Sequence, residues 1–93
     1  MSREAPAAIK AVAVHQAVRQ EALAASEHVA ACLAVVKADR KFGRKVRTTW
    51  NMTAIGHARD ERRDAILHSE VTATTWRIAD AAIQYIKANE DSQ

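Results

Sequence analysis

The stretch KADRKFGRKVRTTW, residues 37–50, contains the densest group of side chains that could bind a charged ligand. Between residues 37 and 47, here called the basic segment, six cations stand against the single acid Asp39, so the local charge is +5 while the whole chain carries +3. The predicted binding residues are Lys37, Arg40, Lys41, Phe42, Arg44, Lys45, Arg47 and Trp50.

Three interpretations of the basic segment are open. It is a solvated turn between two helices, where charged side chains reach water, or it is a binding site of one of two kinds. A nucleic-acid site would neutralise phosphates and release counterions, with Phe42 or Trp50 stacking on a base. A protein-docking site would face an acidic partner, with Trp50, Phe42 and Arg44 or Arg47 as anchors, because Trp and Arg dominate interface energies.

A metal site is the next chemistry to consider, because His28 and Cys32 lie four residues apart on one helix face. A structural zinc site needs four such ligands, and the expected helix pairing brings only His57 and Glu61 near these two. A Cys in an apolar row is usually a small buried hydrophobe. We therefore predict no metal and no cofactor.

Several polar side chains fall within the apolar rows of the sequence and need partners there. We expect His15 to pack on Trp76. Arg62 would be costly if buried unpaired, so we expect it to pair with Glu27 or Glu61, or to extend toward solvent.

Residues 58–67, ARDERRDAIL, resemble the second-helix segment of small all-helical chorismate mutases. The resemblance implies an intertwined helical dimer that clamps a dicarboxylate with several arginines. The first predicted helix offers only Arg19 and Arg40 as arginines, and its apolar row is Ala and Val where the family's pocket is polar. An enzyme of this type is therefore the remote alternative, and we predict no catalytic residues and no enzymatic activity.

Composition favours helix throughout a single domain. The 93 residues include 21 Ala, the best helix former, but only two Gly and one Pro. One Cys cannot form an internal disulfide, which fits a reducing compartment. The N-terminal residues lack the apolar run of a signal peptide, and no stretch approaches the roughly 18 apolar residues that span a membrane. We expect a soluble, cytoplasmic protein.

Small and apolar residues recur at alternating steps of three and four in two long stretches, which predicts an all-α helical hairpin. The expected segments are a helix at about 6–40, a basic corner at about 41–48, a helical stretch at about 49–89 and a frayed C-terminus at 90–93. The first row is Ala8, Ala11, His15, Val18, Ala22, Ala25, Val29, Cys32 and Val36. The second row is Ile55, Ala58, Arg62, Ala65, Ser69, Thr72, Trp76, Ala79, Ile83 and Ile86.

Local signals predict where the first helix ends and the second begins. Gly43 is expected to end the first helix in the left-handed conformation. The candidate caps of the second helix are Thr48, Thr49 and Asn51.

The pairing of the helices follows from the position of the turn. A fold point near residue 45 makes the numbers of facing residues sum to about 90. Weak helix formers follow Ser69, so one continuous second helix and a break near 69–72, which would give three helices, are both open.

Large apolar side chains outside the two rows, among them Ile9, Leu23 and Ile78, need a cover. We therefore predict a homodimer that forms a helical bundle, since two-fold dimers dominate soluble assemblies. The predicted function is that of a non-enzymatic protein-protein interaction module, a small regulator, inhibitor or assembly factor whose partner has an acidic surface. Nucleic-acid binding through the basic segment is the alternative, and no membrane partner is expected.

Overall fold

Two long helices make up the part of the chain that the computed structural model describes, which is residues 4–91 for the backbone and 8–89 for the side chains. Helix α1 spans Glu4–Thr48 and helix α2 spans Met52–Asp91, and no strand occurs between residues 4 and 91. The helices lie antiparallel in a hairpin that measures 74 × 19 × 14 Å. The predicted all-α helical hairpin is confirmed.

The predicted end of the first helix is wrong, because α1 continues through the expected corner at 41–48 to Thr48. Gly43 lies inside the helix and does not adopt a positive φ. An interior Gly costs only about 1 kcal/mol relative to Ala, and most of its neighbours are good helix formers. The cations of the basic segment therefore belong to the last turns of α1.

The turn between the helices is closed by backbone and side-chain hydrogen bonds. The amide of Thr49 donates to the carbonyl of Lys45 at 3.1 Å, which completes the last turn of α1. Oδ1 of Asn51 accepts from the amides of Thr53 at 3.1 Å and Ala54 at 3.2 Å, so Asn51 is the cap of α2 among the three candidates.

Helix α2 is continuous, which settles the alternative left open at 69–72. The hydroxyls of this region donate to carbonyls of the preceding turn instead of interrupting the helix. Ser69 donates to Ile66 at 2.7 Å, and Thr72 donates to Ser69 at 2.9 Å. Such back-bonding satisfies the hydroxyl without opening the backbone ladder. Of the frayed end predicted at 90–93, α2 includes residues 90 and 91, and residues 92–93 lie outside the described part.

The apolar row predicted for the second helix faces α1, with all ten positions buried or half-buried except Trp76, which is 38% exposed. The row predicted for the first helix is displaced by one residue. The side chains that face α2 are Lys10, Val14, Ala17, Glu21, Ala24, His28, Ala31, Val35, Ala38, Phe42 and Lys45. Alanine is so frequent in α1 that the predicted row and the observed row both show the three-and-four spacing. The predicted row is the one that contains no charged residue.

The predicted register is also wrong, because the turn lies near residue 50 and facing residues have numbers that sum to about 100. Nδ1 of His28 lies 2.9 Å from the hydroxyl of Thr72, and Nη1 of Arg62 lies 3.3 Å from Oδ1 of Asp39. The predicted packing of His15 on Trp76 does not occur, because the Trp76 ring stacks on His28.

The interface between the helices is narrow and contains several hydrogen-bonded polar groups. Ala24, Ala31, Ala58 and Thr72 are the only buried residues among those described. Nε1 of Trp76 donates to the carboxylate of Glu21 at 2.7 Å, which supplies the partner that a half-covered indole needs. Small side chains thus bring the helices together, and polar contacts decide which residues face each other.

We expect Thr72→Val to lower the free energy of unfolding by about 1–2 kcal/mol, because it removes the hydrogen-bond partner of His28 at a buried position. Urea unfolding followed by circular dichroism measures the change. Thr75→Val is the matched control, because the exposed Thr75 hydroxyl contacts only the carbonyl of Val71. Equal losses in both variants would show that the contact with His28 contributes nothing.

We expect Gly43→Ala to raise the free energy of unfolding by about 0.5–1 kcal/mol, because Gly is unfavourable inside a helix. A Cβ at this position would meet only the flexible guanidinium of Arg47, at 3.4 Å. The same urea titration applied to Gly56→Ala is the control, since a Cβ there meets nothing within 4 Å. A gain at 56 with a loss at 43 would contradict the expected tolerance of position 43.

Candidate partner-binding site at the turn end

The turn end of the hairpin comprises the basic segment, the loop through Trp50 and the first turns of α2. Because the basic segment is helical, its cations recur at steps of three and four along one side of α1. A shallow groove on this side is lined by Lys37, Lys41, Arg44, Lys45 and Thr48. The side chains of Arg40 and Arg47 are exposed beside it, so the structure brings all six predicted cations to one end of the molecule.

At the turn end, each acid that faces the other helix forms an ion pair with a Lys or Arg side chain. Nζ of Lys41 lies 3.0 Å from the carboxylate of Glu61, and Nη1 of Arg62 lies 3.3 Å from that of Asp39. These pairs join α1 to α2 and are largely exposed, so each contributes little to stability. Arg62 therefore pairs with Asp39, and the expectation that Glu27 or Glu61 would serve it is wrong.

The remaining acids at the turn end are held within α2. Asp60 lies 3.7 Å from Arg63 and 3.9 Å from Arg59, and Asp64 lies 3.5 Å from Arg63. Every acid between residues 37 and 64 is thus next to a cation, and none is left to neutralise the basic segment further.

Five cations of the basic segment form no ion pair with the residues that the structure describes. They are Lys37, Arg40, Arg44, Lys45 and Arg47. Their positive charge suits the carbonyl end of α1, where the helix dipole favours cations. The carbonyls of the last turn cannot neutralise five full charges, so the turn end presents a positive field to solvent.

The two predicted aromatic residues have different surroundings. Trp50 is 97% exposed at the tip of the hairpin. Phe42 faces α2, and the guanidinium carbon of Arg62 lies 4.7 Å from the centre of its ring. One face of Phe42 is therefore occupied by a cation-π contact, which also orients Arg62 toward Asp39.

Two apolar neighbours of Trp50 were missed by sequence reasoning. Met52 is 75% exposed and Val46 is 51% exposed, on either side of the turn. If the prediction had extended α1 to Thr48, the helical period beyond Gly43 would have placed Val46 on the surface. The tip of the hairpin therefore combines three exposed apolar side chains with unpaired cations.

The candidate metal ligands do not assemble. Sγ of Cys32 lies 3.5 Å from Nε2 of His28, whose Nδ1 contacts Thr72. Glu61 pairs with Lys41, so the expected approach of His57 and Glu61 is wrong, because the register differs from the predicted one. Cys32 is exposed and not a buried hydrophobe. Among the side chains of residues 8–89, no three His, Cys, Asp or Glu form a group that could hold a metal ion.

Arg19 and Arg40, the first-helix arginines considered for a dicarboxylate clamp, both lie on α1. They are 21 residues apart, about 30 Å along the helix at its usual rise, so they cannot bind one small ligand within a chain.

A search of protein-family models, of curated proteins and of solved structures finds no match for this chain. Neither helix, over its described residues, contains a stretch long and apolar enough to cross a membrane. The geometry of the turn end is therefore the main guide to function.

We expect Arg44→Gln/Arg47→Gln to lower the salt concentration needed to elute the protein from a cation exchanger more than Arg59→Gln/Arg63→Gln does. Both double variants change the net charge by −2, but Arg44 and Arg47 lie within the basic segment that would contact the resin, whereas Arg59 and Arg63 lie among acids on α2. Equal shifts would contradict the conclusion that the basic segment forms the dominant positive surface.

Proposed function

We propose that the hairpin is a non-enzymatic protein-interaction module that docks on an acidic surface of another protein through its turn end. The observation that supports this proposal best is the combination of five unpaired cations with a Trp50 side chain that is 97% exposed. Such a module would act as a small regulator, inhibitor or assembly factor, because its effect comes from occupying a partner's surface.

The apolar side chains at the tip favour a protein as the partner. Trp50, Met52 and Val46 are all more than half exposed and lie within eight residues of Arg44 and Arg47 in the chain. Trp, Met and Arg are the residue types enriched in the centres of protein interfaces, where an aromatic anchor fills a pocket on the partner. A surface that bound only phosphates would need the cations but would have no use for Met52 and Val46.

Recognition in this proposal has two steps that use different residues. The positive field of the basic segment raises the rate of encounter with an acidic surface, and this effect weakens as salt increases. Burial of Trp50 then slows dissociation, because it removes a large apolar side chain from water. The cations project from a rigid helix, so little backbone conformational entropy is lost on binding.

The proposed working form is a homodimer in the cytoplasm. A dimer would present two turn ends, which allows one molecule to engage two partners or two sites on one partner. The free thiol of Cys32 would remain reduced in that compartment. Light scattering should give about twice the chain mass of 10.2 kDa.

The test is capture of partners from a nuclease-treated lysate of the source cell on immobilised protein. We expect Trp50→Ala and Arg44→Glu/Arg47→Glu each to lose at least roughly 90% of the captured partner, because each removes one half of the interface. Arg19→Glu/Arg77→Glu is the matched control, since it makes the same charge change away from the turn end and should retain the partner. Retention of the partner by both turn-end variants would refute the proposed site.

Fluorescence anisotropy with duplex DNA, single-stranded DNA and RNA tests the alternative function, nucleic-acid binding. Phosphate binding would fall steeply between roughly 50 and 200 mM salt and would be lost on neutralising Arg44, Lys45 and Arg47. Binding of this kind would assign the turn end to nucleic acid, with Trp50 as a stacking platform. No binding at low salt would exclude that class.

A further inference from the structure

A second apolar row runs along α1 outside its contact with α2. It consists of Ala8, Ala11, His15, Val18, Ala22, Ala25, Val29, Cys32 and Val36, the residues whose spacing predicts a helix interface. We call it the outer row. The outer row extends from residue 8 to residue 36, and none of its nine residues is an Asp, Glu, Lys or Arg. A row of this spacing suits packing against another helix.

The outer row is uncovered in the hairpin. Val18, Val29 and Val36 are 47%, 59% and 44% exposed, and Cys32 is exposed as well. The row lies one position along from the residues that face α2, which turns it by about 100° around the helix. It therefore flanks the hairpin interface, where Ala25 is half-buried and Val18 lies at the edge beside Ile83 and Ile86.

The surface area of the chain is larger than that of a compact monomer of the same mass. The hairpin exposes 7388 Å², whereas a compact monomer of 10.2 kDa exposes about 5,300 Å². The excess is about 2,000 Å² per chain, and two chains that buried it together would form an interface in the range of obligate dimers, about 2,000–5,000 Å². The area thus points to a second copy of this chain as the occupant.

Charge decides the direction of the second copy. Residues 37–64 carry a net charge of +5 at the turn end, whereas the rest of the chain is left with −2 of the total of +3. All of this −2 arises in residues 65–93, which lead to the open end of the hairpin. A parallel pair would bring two +5 ends together, whereas an antiparallel pair places each turn end beside the other copy's open end.

We propose that two hairpins pair antiparallel through the outer rows of their α1 helices, with the two-fold axis near Ala22. This inference rests on the proposed homodimer and specifies its surface. In this arrangement Ala22 meets its own copy, Val18 meets Ala25 of the second copy, and His15 meets Val29. Cys32 meets Ala11, so small side chains at this pair and at Ala22 allow the two helices to approach closely.

The arrangement also determines how the dimer presents its binding sites. The two turn ends lie at opposite ends of the bundle, about 80 Å apart at the usual helical rise, because Thr48 of each copy lies 26 residues from the axis at Ala22. A partner with two acidic sites close together could not occupy both ends of one dimer. The dimer would instead link two partner molecules.

The first experiment measures mass by sedimentation equilibrium for Val29→Glu and Leu23→Glu. These side chains are 59% and 55% exposed on the same helix, but Leu23 lies on the other flank of the hairpin, beside Ile78. We expect Val29→Glu to halve the mass and Leu23→Glu to leave the dimer intact, with helical circular dichroism retained in both. Halving by Leu23→Glu alone would overturn the proposal and assign the interface to the opposite flank.

The second experiment uses disulfide cross-linking and does not depend on breaking the dimer. In a Cys32→Ala background, Ala22→Cys should form a cross-linked dimer under mild oxidation, while Val29→Cys and the outward control Ser26→Cys should not. Ala11→Cys with Cys32 retained should also cross-link. A cross-link at both Ala22→Cys and Val29→Cys would show a parallel pair and overturn the antiparallel arrangement.

The two experiments separate this inference from the proposed function. A wild-type mass of one chain would refute the homodimer and this inference together. The docking site at the turn end would still be tested separately by partner capture. A wild-type dimer that survives Val29→Glu and does not cross-link at position 22 would refute only the outer row as its interface.

Discussion

The hydrogen bonds between polar side chains in the middle of the hairpin are the interactions on which the rest of the structure depends. Two alanine-rich helices touch through small side chains, and such a contact changes little in energy when one helix slides or rotates. The contact of His28 with Thr72 at 2.9 Å and that of Trp76 with Glu21 at 2.7 Å are specific to one register. Leaving a half-buried donor unpaired costs about 1–3 kcal/mol, which is enough to select that register.

The register in turn decides the electrostatics of the turn end. It places Asp39 against Arg62 and Lys41 against Glu61, while the acids at positions 60 and 64 pair within α2. Every acid at the turn end then has a cation beside it, while five cations of the basic segment have no acid. A shift of one helical turn would separate these pairs and would change which side chains remain available to a partner. The positive surface is therefore a product of helix pairing as much as of local composition.

The rotation of α1 has an equally direct consequence for assembly. Because Glu21 and His28 face α2, the outer row remains on the outside of the hairpin. This choice is stable because Glu21 and His28 each have a hydrogen-bond partner on α2, whereas the outer row contains no charged residue. Polar residues thus occupy the intramolecular contact, and the apolar row is free for a second chain.

The sequence alone determined the helical hairpin, the apolar row of α2, the concentration of charge near residue 40 and the exposed Trp50. These features depend on helix propensity, on the 3.6-residue period and on side chains that are close in the chain, so they are local. Only the tertiary structure decided that α1 passes through Gly43, which row of α1 faces α2 and which cations stay unpaired. Those outcomes depend on contacts between residues such as His28 and Thr72, 44 positions apart, whose energies no local pattern contains.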